Sequence, residues 1–239
     1  MSLHMLELYI DPERLIRFAQ EHGVNKNRDQ DLGYAMHAWL KSLLGEKAPK
    51  PFRLIQSRTC SPRVLGYSSA DGETLLEQAH KFASPLATNV AIRVEDLRRA
   101  KPLPSEWDEG RRLGFEVLLC PVSRKRGKEK DLFLHRSEAW IESEPPLERE
   151  MVYREWMKER MSGAAELERA DLSLFRLVSQ YRQGSQGGGR RSASRLVRPQ
   201  ALFHGVLRIR NRNEFNALLA RGIGRHRAFG YGMLLVRPA

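Results

Sequence analysis

Cysteine is scarce in this sequence. Cys60 and Cys120 are the only two in 239 residues, and neither has CxxC spacing or a Cys/His neighbourhood. That excludes a disulfide-stapled miniprotein, argues against a zinc site and fits a reducing compartment. No run of about 18 uncharged apolar residues occurs, so no membrane-spanning helix and no membrane partner are expected. In MSLHMLELYIDPE, acids stand where a signal peptide would continue its apolar stretch. A soluble, cytoplasmic protein is the expectation. With 41% hydrophobic and 29% charged residues, intrinsic disorder is excluded and the chain can bury one sizeable core or two small ones.

Acidic residues are nearly absent from the last 64 positions. Residues 176–239 carry 13 basic side chains and one acid, Glu214, so they hold essentially all of the net charge of +12. All 13 are arginines. A guanidinium forks onto phosphate oxygens and stacks on bases, whereas an ammonium acts as a point charge. An acidic protein partner or plain solubility would need less; a polyanion is the better match.

Two similar halves follow one another. MLELYI (5–10) predicts a strand, DPERLIRFAQEHG (11–23) a helix, and LGYAMHAWLKSLLGE (32–46) a helix with Leu32, Met36, Trp39, Leu40 and Leu43 at helical spacing. PFRLIQSRT (51–59) and RVLGYSS (63–69) predict a hairpin, 71–83 a helix and ATNVAIRVEDL (87–97) a strand. RRAKPLPSEWDEGRR (98–112), with two prolines and dense charge, reads as a linker. The second half predicts a strand over 113–122, a basic tract over 123–131, a helix over 147–161, strands over 172–183 and 201–210, a helix over 213–222 and a last strand over 231–238. Both halves run β, α, β, β, α, β. The expected fold class is α+β, with two tandem ferredoxin-like (RRM-like) domains over 1–105 and 106–239. Such a sheet, open on one face, is a common RNA platform.

The segment GIGRHRAFGYG sets glycines at 222, 224, 230 and 232 around Arg225, His226 and Arg227. A dinucleotide fingerprint follows a strand and opens a helix. This one follows a helix and opens a strand, so no nucleotide cofactor is expected. Its glycines permit close backbone approach to another chain, and its arginines would meet phosphates there; a tight turn with solvated arginines is the plainer alternative. Tyr34 and His37, three apart, share a helical face. A histidine titrates near neutrality and suits proton transfer, although His37 could also simply pack among Ala35, Met36 and Trp39. The charges of Arg225 and Arg227 should depress the pKa of His226.

GIGRHRAFGYGMLLVRP resembles the C-terminal glycine-rich signature of the CRISPR repeat endoribonucleases, in particular the CasE-like branch that serves Cascade-type complexes. ALFHGVLRIRNRNEFNALLARG, RRAKPLPSEWDEGRRLGFEVLLCPVSRKRGKEK and GYAMHAWLKSLLG, with its Tyr-x-x-His pair, extend the resemblance to nearly the whole chain. The resemblance implies metal-independent cleavage of precursor CRISPR RNA beside a repeat stem-loop, by 2′-hydroxyl attack that leaves a 2′,3′-cyclic phosphate and a 5′-hydroxyl. It implies no cofactor, His37 as general acid or base with Tyr34 as helper, and retention of the mature crRNA within an effector complex of other CRISPR subunits.

RNA contacts are expected from Arg28, from Arg124, Lys125 and Arg126 in the basic tract, and from Arg182, Arg190, Arg191, Arg195 and Arg198 around a GSQGGG tip. Gly222, Gly224, Arg225, His226 and Arg227 complete the set. In related enzymes a basic hairpin at the place of 182–198 enters the repeat stem's major groove. The branch also carries an Arg-Asp pair before the Tyr-x-x-His helix, loosely matched by Arg28-Asp29. Some type IV relatives cleave with arginines, which makes Arg28, Arg225 and Arg227 alternative carriers of the chemistry. A non-catalytic RNA-hairpin-binding subunit is the alternative function, and a basic adaptor a distant third.

Overall fold

The structure is a computed structural model; it describes residues 2–24, 32–56, 59–125, 128–141, 145–184 and 192–239, with the side chains of 125, 128, 180–184 and 192–196 not described. The first half contains β1 (His4–Tyr9), α1 (Pro12–Glu21), α2 (Gly33–Leu44), β2 (Phe52–Ile55), β3 (Arg63–Ser68), α3 (Gly72–Phe82), α4 (Pro85–Val90) and β4 (Lys101–Pro102). The second contains β5 (Arg112–Leu119), β6 (Val122–Lys125), β7 (Lys128–Asp131), α5 (Leu132–Ser137), α6 (Arg149–Met161), β8 (Ala165–Gly184), β9 (Ser192–Ile209), α7 (Arg212–Arg221) and β10 (Leu234–Pro238). The two four-stranded sheets have strand orders β2-β3-β1-β4 and β10-β5-β9-β8, and every pairing is antiparallel. In each, the strand opening the half lies between the one closing it and the third in sequence, so the same ferredoxin-like arrangement occurs twice.

Helix starts follow local chemistry. The Asp11 carboxylate accepts from the backbone N–H groups of Glu13 and Arg14, and Pro12 follows where its missing N–H costs nothing. Asp71, Ser84 and Asn211 cap α3, α4 and α7 in the same manner.

The strand expected over 87–97 is not formed. Ser84 caps and Pro85 opens α4 there, a 3-10 segment follows over Val94–Arg99, and the closing strand is β4, inside the expected linker, where it pairs with His4 and Met5. The apolar residues of 87–97 therefore serve a helix rather than a strand: Ala87, Val90, Val94 and Leu97 are all buried in the first core. A run this short does not separate the two periods by itself.

Two cores result. One joins α1, α2 and α3 to β1 and β3; the other joins α6 and α7 to β5 and β9. Leu65 and Tyr67, on the opposite face of β3 from Val64, belong to the second core, and the Tyr67 hydroxyl donates to the Leu234 carbonyl at 2.8 Å. The open face of the first sheet is thus used for docking the second half. Trp107, between β4 and β5 in the chain, packs edge-on against Phe215 of α7 and donates to Asn216 Oδ1 at 2.9 Å.

Candidate active site and nucleic-acid interface

Helix α2 has two unlike faces. Ala35, Met36, Trp39, Leu40 and Leu43 are buried in the first core, where Trp39 Nε1 donates to the Ala87 carbonyl at 2.8 Å. Those contacts fix the rotation of the helix and turn Tyr34 and His37 outward. Tyr34 is half exposed and His37 is half-buried. Packing within the core is therefore not the role of His37. Burial and the nearby ammonium groups of Lys41 and Lys50 hold its pKa below the ordinary histidine value, so the neutral ring prevails at neutral pH.

The glycine-rich segment meets this outward face. A short 3-10 turn, Arg227–Phe229, places the Phe229 ring 5.9 Å from that of Tyr34 and 5.8 Å from that of His37, edge-on to the latter. The His226 ring lies 6.1 Å away on Phe229, nearly parallel to it. Phe229 is thus shared by the two residues from the first half and the histidine of the second. The loop is seated in this position by its positive-φ glycines. Gly232 (φ 77°) donates its N–H to Leu118 and accepts from Ile223, and a Cβ there would stand 2.2 Å from the Ile223 carbonyl oxygen. A Cβ on Gly224 (φ 78°) would stand 2.6 Å from the Trp156 ring. Gly222 is buried against Pro51. Gly222 and Gly224 therefore shape and seat the loop.

His226 sits between unlike partners. Arg198 Nη1 is 2.8 Å from its Nδ1, and a guanidinium can only donate, so Nδ1 is the acceptor and the proton is on Nε2. That N–H donates to Glu129 Oε2 at 2.9 Å. Glu129 Oε1 accepts from Arg225 Nε at 2.9 Å, and Oε2 lies 3.4 Å from Arg198 Nη2. Burial and then Arg198 depress the His226 pKa to about 4 against the pull of Glu129. The direction matches the sequence expectation, but Arg198 rather than Arg227 is the decisive neighbour; Arg227 instead donates to the Arg221 carbonyl.

Glu129 belongs to the β6–β7 hairpin, a two-stranded sheet of its own in which Arg124 lies across from Glu129. The hairpin is anchored at its base. Buried Asp131 accepts from Tyr153 Oη at 2.6 Å and from Arg149 Nη1 at 2.5 Å, and the Arg149 guanidinium lies 4.2 Å from the rings of both Phe133 and Phe175.

Among the other expected contact residues, Arg124 is exposed on β6, and the backbone of Arg182 and Arg195 lies in the long β8–β9 ribbon. Lys125 ends β6. Arg28, Arg126, Arg190, Arg191 and residues 185–189 of the GSQGGG tip lie outside the described residues, whereas Gly184 ends β8. Glu129, Phe229 and Lys50 were not among the expected site residues. The only trace of Glu129 in the sequence is an acid inside a basic tract. Among the described residues, no group of three or more His, Cys, Asp or Glu side chains could hold a metal ion, and no helix is long and apolar enough to cross a membrane.

The family model for "CRISPR associated protein" matches residues 3–238, nearly the entire chain. The chain belongs to the CRISPR-associated protein family. Its fold is shared with CRISPR endoribonuclease Cse3 bound to a 19-nucleotide RNA (20% identity, TM-score 0.64) and with Thermus thermophilus Cse3 bound to an RNA representing a pre-cleavage complex (19%, 0.63). It is also shared with the CRISPR-associated protein Cas6e from Escherichia coli K-12 (19%, 0.54); each comparison covers 100% of both chains. A further likeness, at 14% identity and TM-score 0.57 over 99% of this chain and all of the other, is to a chain of a CRISPR RNA-guided surveillance complex. A search of curated proteins finds no match.

Proposed function

We propose that this protein is a metal-independent CRISPR endoribonuclease that cuts precursor CRISPR RNA beside the repeat stem-loop and keeps the mature crRNA as a member of an effector complex. The observation that carries the reading is the meeting of Tyr34 and His37 with the arginine-bearing glycine-rich loop around Phe229. In this reading the first half of the chain supplies proton transfer and the second half phosphate binding. The shared fold with RNA-bound Cse3 over the full length of both chains supports it.

The reaction needs three things. A base must take the proton of the 2′-hydroxyl next to the scissile phosphate, and neutral His37 suits this because burial and two lysines disfavour its cation. Negative charge on the pentacovalent phosphorus must be stabilised, which Arg225 and Arg227 serve. The substrate must be held in line, a role for Tyr34 and for the arginines flanking the β8–β9 tip. Attack by the 2′-oxygen forms the 2′,3′-cyclic phosphate and breaks the bond to the 5′-oxygen, which leaves as a hydroxyl once protonated.

The test is cleavage of a labelled repeat hairpin in excess EDTA. Wild type should cut, a 2′-deoxy substitution upstream of the cut should block it, and His37→Ala should slow it by about 10²–10⁴-fold, as for loss of a general acid or base. Undiminished cleavage by His37→Ala would transfer the chemistry to the arginines, and binding without cleavage would leave an RNA-holding subunit.

A further inference from the structure

The most heavily bonded carboxylate near the glycine-rich loop is one the proposed chemistry does not use. Glu129 accepts from Arg225 Nε and His226 Nε2 of the loop and forms an ion pair with Arg198 Nη2 of β9 at 3.4 Å. Its side chain is about four-fifths buried, and those of Arg198 and His226 are more so. Two guanidiniums and an imidazole N–H converging on two oxygens of one anion is the donor set that a phosphodiester takes through its two non-bridging oxygens. We infer that Arg198, Arg225 and His226 form a phosphodiester-binding site that Glu129 fills in the free protein, so that an RNA backbone phosphate must displace this carboxylate to engage the loop. The inference rests on the RNA-binding reading above.

Several features suit Glu129 to displacement. Its hairpin forms a separate two-stranded sheet, so no ladder of the main sheet breaks when the carboxylate leaves. The anchor of that hairpin, Asp131 with Arg149 and Tyr153, involves none of the three donors. Exposed Arg124, directly across from Glu129 in the hairpin, offers the released carboxylate a cation. One monoanion replaces another, and the tautomer of His226, set by Arg198, already presents the N–H that either anion requires. Because the donors are partly desolvated, they cannot be left without an anion cheaply. The exchange therefore taxes every RNA ligand equally, and only an RNA that also supplies stem contacts overcomes it.

The experiment measures the affinity of wild type, Glu129→Gln and Glu129→Ala for a repeat hairpin made uncleavable by a 2′-deoxy substitution. Thermal melts establish that each variant is folded. Both variants are expected to bind about tenfold more tightly, the size of a coupling free energy between competing ligands. Equal or weaker binding by both, with wild type binding the hairpin, overturns the inference and leaves the RNA-binding reading standing. If wild type does not bind the hairpin, that reading fails, and inorganic phosphate becomes the probe, followed on the His226 ring signals by NMR. A response in Glu129→Gln at concentrations that leave wild type unmoved upholds the anion site. No response in either overturns it.

Discussion

His37 and His226 face the same phenylalanine but do different things with their nitrogens. The pKa of His37 is lowered by burial and by Lys41 and Lys50, so a base role predicts a distinct pH profile. The acid limb of kcat/KM for hairpin cleavage should bend below 6.5, because the ring must be deprotonated and is so at lower pH than a free imidazole. Lys50→Ala should move that limb upward toward the free value, and an unmoved limb would remove His37 as the titrating base. His226 leads to a statement about stability. Its pKa of about 4 lies below the unfolded value near 6.5, so between these two the unfolded chain binds more protons than the native one. The contribution is fully present above about 6.5 and is lost as pH falls toward 4. Chemical denaturation across that window should show a shallower pH dependence for His226→Gln, whose amide retains a donor but cannot titrate.

The glycine-rich loop explains most at the scale of elements. Its geometry is over-determined: Gly232 bonds to both Leu118 and Ile223, and Gly224 lies on Trp156. Gly232→Ala would carry the cost of positive φ, about 1–3 kcal/mol, together with a clash against the Ile223 carbonyl. The midpoint of unfolding should fall accordingly. Because the loop carries Phe229 to His37, cleavage should suffer even at temperatures where the variant is folded. The repeated alternation of main strands and helices was legible because apolar periodicity and the acid that opens α1 are local signals, whereas α4, the β6–β7 hairpin and α5 were not. The closing strand of the first half was not legible either. Beta structure there is only Lys101–Pro102, formed because β1 presents a free edge, and no local signal announces a partner almost a hundred residues away.

Across the whole molecule, the charge is lopsided and the halves are joined. With 13 arginines and one acid after residue 175, hairpin affinity should fall by about 10³-fold or more between 50 and 200 mM salt, if the contact involves roughly six or more phosphates. A nearly flat dependence would argue for the adaptor reading. The union of the halves can be tested at Tyr67, whose hydroxyl is buried, is held well above the ordinary tyrosine pKa by desolvation, and donates to Leu234. Tyr67→Phe should cost about 0.5–1.5 kcal/mol by denaturant titration.

What the sequence determined by itself was what depends on near neighbours: the two-fold repeat of elements, the arginine-rich end, the Tyr34–His37 spacing and the glycines that only a tight loop would need. Tertiary structure alone decided which of these act together. Phe229 meets α2 only because β3 docks its open face on the second half, and Glu129 finds Arg225, His226 and Arg198 only because the β6–β7 hairpin folds back over the loop. Those contacts span sequence separations of roughly 70 to 200 residues. A side chain's local pattern encodes the face it occupies, while the charge it meets there is set by packing.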